Sequence, residues 1–187
     1  MRGIVTEFSP PPVNRKEIFR YLNAREGLES LVEECLAELL PLLSYRVCSL
    51  DFPVIYKEDQ VDLSFAVTDS KALAKNLAGC PTVTVFAATV GIAPDRLVAR
   101  YQVLSPVKAL CINAIATERI EALCDAFERS QAPCRPRFSP GYGDLPLELQ
   151  RNLFAALDPQ CIGLTLNESC LMSPSKSVTA ILGKGTL

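Results

Sequence analysis

Residues 82–90 read TVTVFAATV, a nearly continuous apolar run dominated by β-branched side chains. A strand with one face in water alternates apolar and polar side chains, whereas a run without this alternation is typical of a strand covered on both faces. Gly79 ends the preceding helical segment, and a new helix opens near Ala93. We therefore predict a strand over 82–90 that is buried on both faces.

Upstream of this strand the apolar spacing is first helical and then strand-like. Asn14 is the expected N-cap of a first helix, in which Ile18 and Leu22 lie on one face. The predicted elements are a helix over 15–23, a helix over 28–43, strands over 45–56 and 61–67 joined as a hairpin through 57–60, and a helix from the Ser70 cap to residue 77.

Downstream, two helices follow each other directly. The first spans about 93–104, and Ser105 and Pro106 begin the second, over about 107–128, since proline is tolerated in a first turn. The remaining predicted elements are a helix over 147–157 and strands over 162–167 and 177–182, joined through 168–176. This order predicts an α+β fold with a largely antiparallel twisted sheet flanked by helices. We expect a single domain over 1–187 with an extended lead-in over 1–13.

The composition is that of a globular protein and excludes several functions. Of the 187 residues, 49% are hydrophobic and 21% are charged, so a core can be buried. The net charge of −2, the pI near 5.3 and the scattered basic residues argue against nucleic-acid binding. Histidine is absent, which removes Ser-His-Asp catalysis, Cys-His catalysis and His-ligated metal. We expect no catalytic residues and no metal site.

The eight cysteines predict reduced thiols used as small apolar side chains. The smallest gap between them separates Cys161 from Cys170, so no C-x-x-C pair exists to bind a metal. The amino terminus lacks a basic start followed by an apolar segment, and no apolar run is long enough to span a membrane. From these features we expect a cytoplasmic chain with no membrane partner.

The irregular segment over 130–146 is the most informative for function. Its seventeen residues include four prolines and two glycines, and loops this long are usually functional or disordered. Arg137 presents paired donors that fit a carboxylate, Gly141 lets the main chain approach a ligand, and Tyr142 offers an apolar face with a polar tip. On composition alone, an ordinary surface loop with an exposed arginine is the more common alternative.

The predicted helix over 107–128 carries a line of acids. Along one face, apolar residues give way to Glu118, Glu121 and Asp125. At helical spacing, such a line is most often a solvated face. The residues alone therefore assign it no ligand.

The motif Arg137-x-x-x-Gly141-Tyr142 resembles the Arg-x-x-x-Gly-Tyr motif in the activation (reactivation) domain of cobalamin-dependent methionine synthase. Further segments resemble the stand-alone proteins of that family in type and in order. No single segment is specific, but their common order is. These segments are Arg20-Tyr21-Leu22, the FAATVG run over 86–91, the NAIA run over 113–116 with the later Glu121, the LNES run over 166–169, Met172-x-Pro174 and Ser177-Val178.

The resemblance implies a function in repairing methionine synthase. In that family the activation domain binds S-adenosylmethionine and presents it to the cobalamin of the synthase, while flavodoxin or a similar donor supplies an electron. It implies that Arg137 pairs with the ligand's carboxylate, that Gly141 and Tyr142 help to hold the ligand, and that Glu121 belongs to the same site. The chain is then an activating subunit, and the cobalamin is held by its partner, cobalamin-dependent methionine synthase.

Such a function is compatible with the absence of histidine. The methyl carbon of a sulfonium is already activated and reduced cobalt is the nucleophile, so the protein has only to position the methyl donor. Two alternatives stay open. One is an autonomous reactivator of another corrinoid protein that does not use S-adenosylmethionine, and the other is a structural partner that keeps the fold but has lost the ligand.

Overall fold

The structure is a computed structural model that describes residues 3–23, 27–131 and 133–185. Within these ranges no helix is both long and apolar enough to cross a membrane. The strands are β1 (Ile4–Glu7), β2 (Arg46–Pro53), β3 (Ile55–Lys57), β4 (Gln60–Asp62), β5 (Val67–Thr68), β6 (Thr82–Thr89), β7 (Thr165–Leu166), β8 (Met172–Ser173) and β9 (Ser177–Lys184). The α-helices are α1 (Arg15–Leu22), α2 (Glu29–Leu39), α3 (Lys71–Leu77), α4 (Ala93–Leu104), α5 (Pro106–Ser130) and α6 (Leu149–Leu157).

The main sheet has the strand order β1-β2-β6-β9, and every neighbouring pair is antiparallel. β6 lies between β2 and β9, with Phe86 opposite Ser49 on one side and Ala180 on the other. All residues of β6 after Thr82 are buried. The prediction of a strand covered on both faces is confirmed, as is the antiparallel sheet flanked by helices.

Side chains alternate across β6 and enter two separate cores. Phe86 and Ala88 face α5, where the ring centroids of Phe86 and Phe127 are 4.7 Å apart. Val85 and Ala87 pack on the opposite face, in a core that includes residues of α3 and α6. The sheet is therefore covered by α5 on one face and by α3 and α6 on the other.

The first half of α5 belongs to a third core, which it forms with α1, α2 and α4. Ile112 and Ile115 are fully buried there, in the same cluster as Ile18 of α1. α1 is capped as the sequence predicts, because the Asn14 side chain accepts a hydrogen bond from the backbone N–H of Glu17. Helix α5 consequently packs on other helices with its first half and on the sheet with its second.

Arg119 fixes the lead-in segment to the middle of α5. Its buried guanidinium donates to the carbonyls of Pro11 at 2.6 Å and Pro12 at 2.8 Å, and to the carboxylate of Glu118. Glu118 also accepts a hydrogen bond from the backbone N–H of Asn14 at 2.9 Å. Burial by itself would lower the pKa of Arg119, but pairing with Glu118 raises it, so the guanidinium stays charged.

Two parts of the predicted sheet have other strand boundaries and other pairing partners in the structure. β2 ends at Pro53 and stays in the main sheet, while the predicted turn over 57–60 joins β3 to β4 in a separate three-stranded sheet with β5. The predicted strand over 162–167 shortens to β7, which pairs with β8 in a two-stranded ribbon. β9 pairs with β6 because its side chains are mostly apolar and are buried on both faces there.

All eight cysteines are free thiols. Burial raises the pKa of Cys35 and Cys48, each to about 12, so both stay protonated and pack as small apolar side chains. Cys161 is exposed, and the prediction of a packed thiol is wrong for this residue. It lies in a 3-10 turn over 159–162, in which Pro159 and Ile162 are buried and Cys161 faces solvent.

Replacement of Phe86 by alanine removes the ring that joins the sheet to α5. We expect Phe86→Ala to lower the free energy of unfolding by about 3–5 kcal/mol, because a buried aromatic side chain is exchanged for a cavity. Urea denaturation followed by circular dichroism measures this loss. The control is Ile4→Ala on the exposed strand β1, which should change the value by less than about 0.5 kcal/mol. Equal losses in the two variants would contradict the central position of β6.

Candidate ligand-binding site

The segment 133–146 runs along the free edge of β9. The backbone N–H of Arg135 donates to the carbonyl of Gly183 at 2.8 Å, and Phe138 and Ile181 exchange two backbone hydrogen bonds of 2.9 Å each. These bonds extend the sheet by a short bridge and fix the position of Arg137 between them. The segment is therefore an ordered part of the fold.

Beyond this bridge the chain enters a turn that requires glycine at one position. Gly141 has φ of +83°, and a Cβ there would lie 3.3 Å from the side chain of Leu147. Its N–H donates to the carbonyl of Leu145 at 2.9 Å, and the N–H of Tyr142 donates to that of Ser139 at 3.1 Å. The glycine of the motif is thus explained by the turn itself.

Asp144 ties the same turn to helix α3. Its carboxylate accepts hydrogen bonds from the backbone N–H groups of Lys71 at 2.9 Å and Ala72 at 3.2 Å, and from the hydroxyl of Ser70. These bonds, above all that from Ser70, lower the pKa of Asp144. A negative charge is therefore maintained at the amino end of α3, where the helix dipole favours it.

Arg137 points toward α5, to the opposite side of its neighbour Phe138. Its Nη1 donates to the carboxylates of Asp125 at 2.8 Å and Glu128, and its Nη2 donates to Glu121. Burial alone would lower the pKa of Arg137, but the hydrogen bonds to Asp125 and Glu128 raise it above its usual range. The guanidinium is therefore always charged and is held by carboxylates from three turns of α5.

This cluster carries more negative than positive charge. Three carboxylates surround one guanidinium, so three minus one leaves two negative charges in excess. The side chains of Glu121 and Asp125 are 39% and 53% exposed, whereas that of Glu128 is 21% exposed. Carboxylate groups that are open to solvent on this scale can attract a cationic ligand. Part of the acidic line on α5 is thus paired with Arg137 and is more than a solvated face.

A groove of about 800 Å³ opens between α1 and α5. Glu121 and Asp125 form part of its wall, and Arg20 and Tyr21 line it from α1. The volume lies within the range of small-molecule sites. Arg137 lies outside the lining of this groove, so the two acids are shared between the groove and the Arg137 cluster.

Tyr142 lies with Phe138 and not with the acidic cluster. Its ring is 69% exposed and meets the Phe138 ring edge-on, with centroids 5.4 Å apart. Phe138 itself belongs to the core on the α3 and α6 side of the sheet. Of the site residues implied by the family resemblance, the structure brings Arg137 and Glu121 into direct contact. Tyr142 offers an exposed aromatic face at the end of the same turn.

Sequence reasoning missed Glu128 and Asp144. Glu128 follows Glu121 and Asp125 at the spacing i, i+4, i+7 of one helix face, so the helical period could have found it. Asp144 gives no such local signal, because its partner Lys71 is 73 residues away in the sequence.

Loss of the Arg137 guanidinium leaves the acids of α5 without their cation. We expect Arg137→Met to lower the free energy of unfolding by about 1–3 kcal/mol, the usual cost when a charged hydrogen-bonding partner is removed. Urea denaturation at neutral pH measures the change. The matched control is Arg135→Met, a half-buried arginine in the same segment whose guanidinium donates to the carbonyl of Ala78 at 3.2 Å and contacts no carboxylate in the described residues. A loss no larger than that of the control would show that the three ion pairs contribute nothing.

Comparison with known proteins identifies the fold. The chain is similar to the crystal structure of the MetH reactivation domain bound to AdoHcy, with 15% sequence identity and a TM-score of 0.65. The match covers 97% of this chain and 78% of that chain. No protein-family model and no curated protein matches the sequence. The fold is therefore that of the MetH reactivation domain, as the resemblance of the sequence segments implied.

Proposed function

We propose that this chain binds S-adenosylmethionine and its demethylated product S-adenosylhomocysteine, and serves the reductive reactivation of a cobalamin-dependent methionine synthase. The observation that carries the proposal is the position of the solvent-exposed carboxylates of Glu121 and Asp125 beside the motif segment, in the fold of a reactivation domain solved with AdoHcy. Exposed carboxylates suit a ligand that carries an ammonium group and a sulfonium group.

In this proposal the ligand lies against α5 and the turn that follows Arg137. Glu121 faces a cationic group of the ligand, Gly141 maintains the turn, and Tyr142 supplies an exposed aromatic surface. Arg137 holds Glu121 in place. A guanidinium has five N–H donors, and the bonds to the three acids use three of them, so Arg137 also keeps donors for the ligand. Arg137 can bind a ligand carboxylate only through the N–H donors that Glu121, Asp125 and Glu128 do not occupy.

In the proposed chemistry this chain contributes positioning and charge, and it transfers no proton. The cobalamin, held by methionine synthase and reduced with the help of flavodoxin or a similar donor, would supply a nucleophilic cobalt. The residues of this chain bind the methyl donor and orient it, which is the contribution of proximity. Because the sulfonium loses its positive charge on methyl transfer, the acids of α5 favour exchange of the product for a fresh methyl donor. The cytoplasmic setting expected from the sequence is part of the same proposal.

The charge of the ligand's sulfur should be visible in its affinity. We expect S-adenosylmethionine to bind more tightly than S-adenosylhomocysteine, and Glu121→Gln to reduce that preference by about 1 kcal/mol, or roughly fivefold, the scale of two charges about 4 Å apart in water. Isothermal titration calorimetry with both ligands measures the preference. Glu58→Gln, the same exchange on the exposed β3–β4 turn, is the control and should leave it unchanged. If neither ligand releases or absorbs heat on titration at millimolar concentration, the proposed function is refuted.

Activity can be tested on a methionine synthase that lacks its own activation domain and has been allowed to become inactive. We expect this chain, S-adenosylmethionine and a reduced flavodoxin together to restore methionine formation, and omission of any one to prevent it. Recovery without S-adenosylmethionine would instead identify an autonomous reactivator. Failure to recover, together with failure to bind the ligand, would identify a structural partner.

A further inference from the structure

Two of the free cysteines bring their sulfur atoms into contact, although they are 113 residues apart in the chain. Cys161 lies in the 3-10 turn that follows α6, and Cys48 lies in β2. The thiol of Cys161 donates to the sulfur of Cys48, and the two sulfur atoms are 3.7 Å apart. The thiol of Cys48 donates in turn to the carbonyl of Leu157, the last residue of α6, at 3.5 Å. The two thiols therefore meet where the end of α6 packs on the main sheet.

The two thiols differ in their access to solvent. Cys161 is exposed, whereas Cys48 is fully buried. Gly3 packs directly on the buried sulfur, because a Cβ at that position would collide with it. Burial raises the pKa of Cys48 to about 12, so this thiol is a poor nucleophile toward an oxidant in solution. An oxidant dissolved in water therefore meets Cys161 first.

The other cysteines do not combine contact with access. Cys35 and Cys111 also interact, but both are buried in the core that α5 forms with α1, α2 and α4. Cys134 is half-buried, and its thiol donates to a backbone carbonyl rather than to a second sulfur. Cysteines that sense oxidants are accessible to solvent and often lie next to a second cysteine that resolves the oxidised form. The pair at the end of α6 has this arrangement.

We propose that Cys161 and Cys48 form a reversible disulfide when the chain meets a peroxide. The thiolate of Cys161 attacks one oxygen of hydrogen peroxide, the O–O bond breaks, and the second oxygen takes up a proton and leaves as water. The thiol of Cys48 then gives up its proton and bonds to the sulfur of the resulting sulfenic acid, and the S–O bond breaks to release a second water. Two thiols thus lose two electrons, and one peroxide becomes two water molecules. This inference is independent of the proposed function.

The disulfide requires a small movement at the end of α6. Disulfide sulfurs are about 2.0 Å apart, so the two sulfur atoms must approach by about 1.7 Å, the difference between 3.7 and 2.0 Å. Cys48 is held by the pairing of β2 with β1 and β6, whereas Cys161 is an exposed residue of a short turn. Cys161 therefore supplies the movement, and the bond ties the turn after α6 to the main sheet.

The experiment treats the full chain with an equimolar amount of hydrogen peroxide and maps its disulfides by mass spectrometry of unreduced peptides. Wild type should lose two thiols and yield a linked pair of peptides that contain Cys48 and Cys161, and dithiothreitol should restore both thiols. Cys161→Ser should yield no linked pair. Cys134→Ser removes a half-buried thiol elsewhere, so it is the matched control and should react as wild type does.

The intermediate can be trapped when Cys48 is removed. In Cys48→Ala, Cys161 should stay a sulfenic acid that dimedone labels after the reaction, whereas in wild type the completed disulfide should leave nothing to label. The oxidised wild type should also melt roughly 5–15 °C above the reduced chain, because the bond closes a loop of more than 100 residues. Cys161→Ser should show no such difference.

Several results would overturn the inference. One is an oxidised wild type in which Cys161 carries the label and Cys48 stays a free thiol, and another is a disulfide that joins Cys161 to a second chain. A bond between Cys35 and Cys111 in place of the expected one would contradict the selection by exposure. An unchanged melting temperature would contradict the attachment of the turn to the sheet. Peptide mapping of wild type decides the matter even where Cys48→Ala fails to fold, and no readout depends on ligand binding.

Discussion

The contact between Phe86 of β6 and Phe127 of α5 sets the orientation of α5, and the rest of the molecule depends on that orientation. The second half of the helix must face the sheet because β6 needs cover on both sides. Its first half faces α1, α2 and α4 through buried residues such as Ile115. The part of α5 left at the surface carries Glu121 and Asp125, so the charge of the candidate site follows from the packing of the core.

Two residues of the motif make contacts within the fold in addition to the ligand contacts proposed for them. Gly141 is required by a left-handed turn, and Arg137 neutralises part of an acidic helix face. The turn requires Gly141 whether or not a ligand is bound. Glu121, Asp125 and Tyr142 keep side-chain surface that is exposed to solvent. The exposed carboxylates of Glu121 and Asp125 are therefore the first groups to test for ligand binding.

Local patterns in the sequence predicted local structure well. The doubly buried strand at β6, the Asn14 cap and the succession of α4 and α5 each arise from the period or chemistry of nearby residues. Strand partners were not predictable in this way: β2 and β3 are adjacent in sequence but enter different sheets. The same limit applies to the site. The acids on α5 could be seen, but their contact with Arg137 depends on the bridge between Phe138 and Ile181, two residues far apart in the chain.

Asp144 makes the motif turn and helix α3 one thermodynamic unit. Asp144 belongs to the turn, and its carboxylate satisfies the amino end of α3, whose Leu73 and Leu77 lie in the core beneath the sheet. A ligand that binds the turn only while Asp144 holds α3 would consequently raise the free energy needed to open α3. Linked equilibria are reciprocal, so opening of α3 would weaken the binding of such a ligand by the same factor. Such a ligand would therefore be coupled to a helix that packs in the same core as Phe138 and Leu145 of the motif segment.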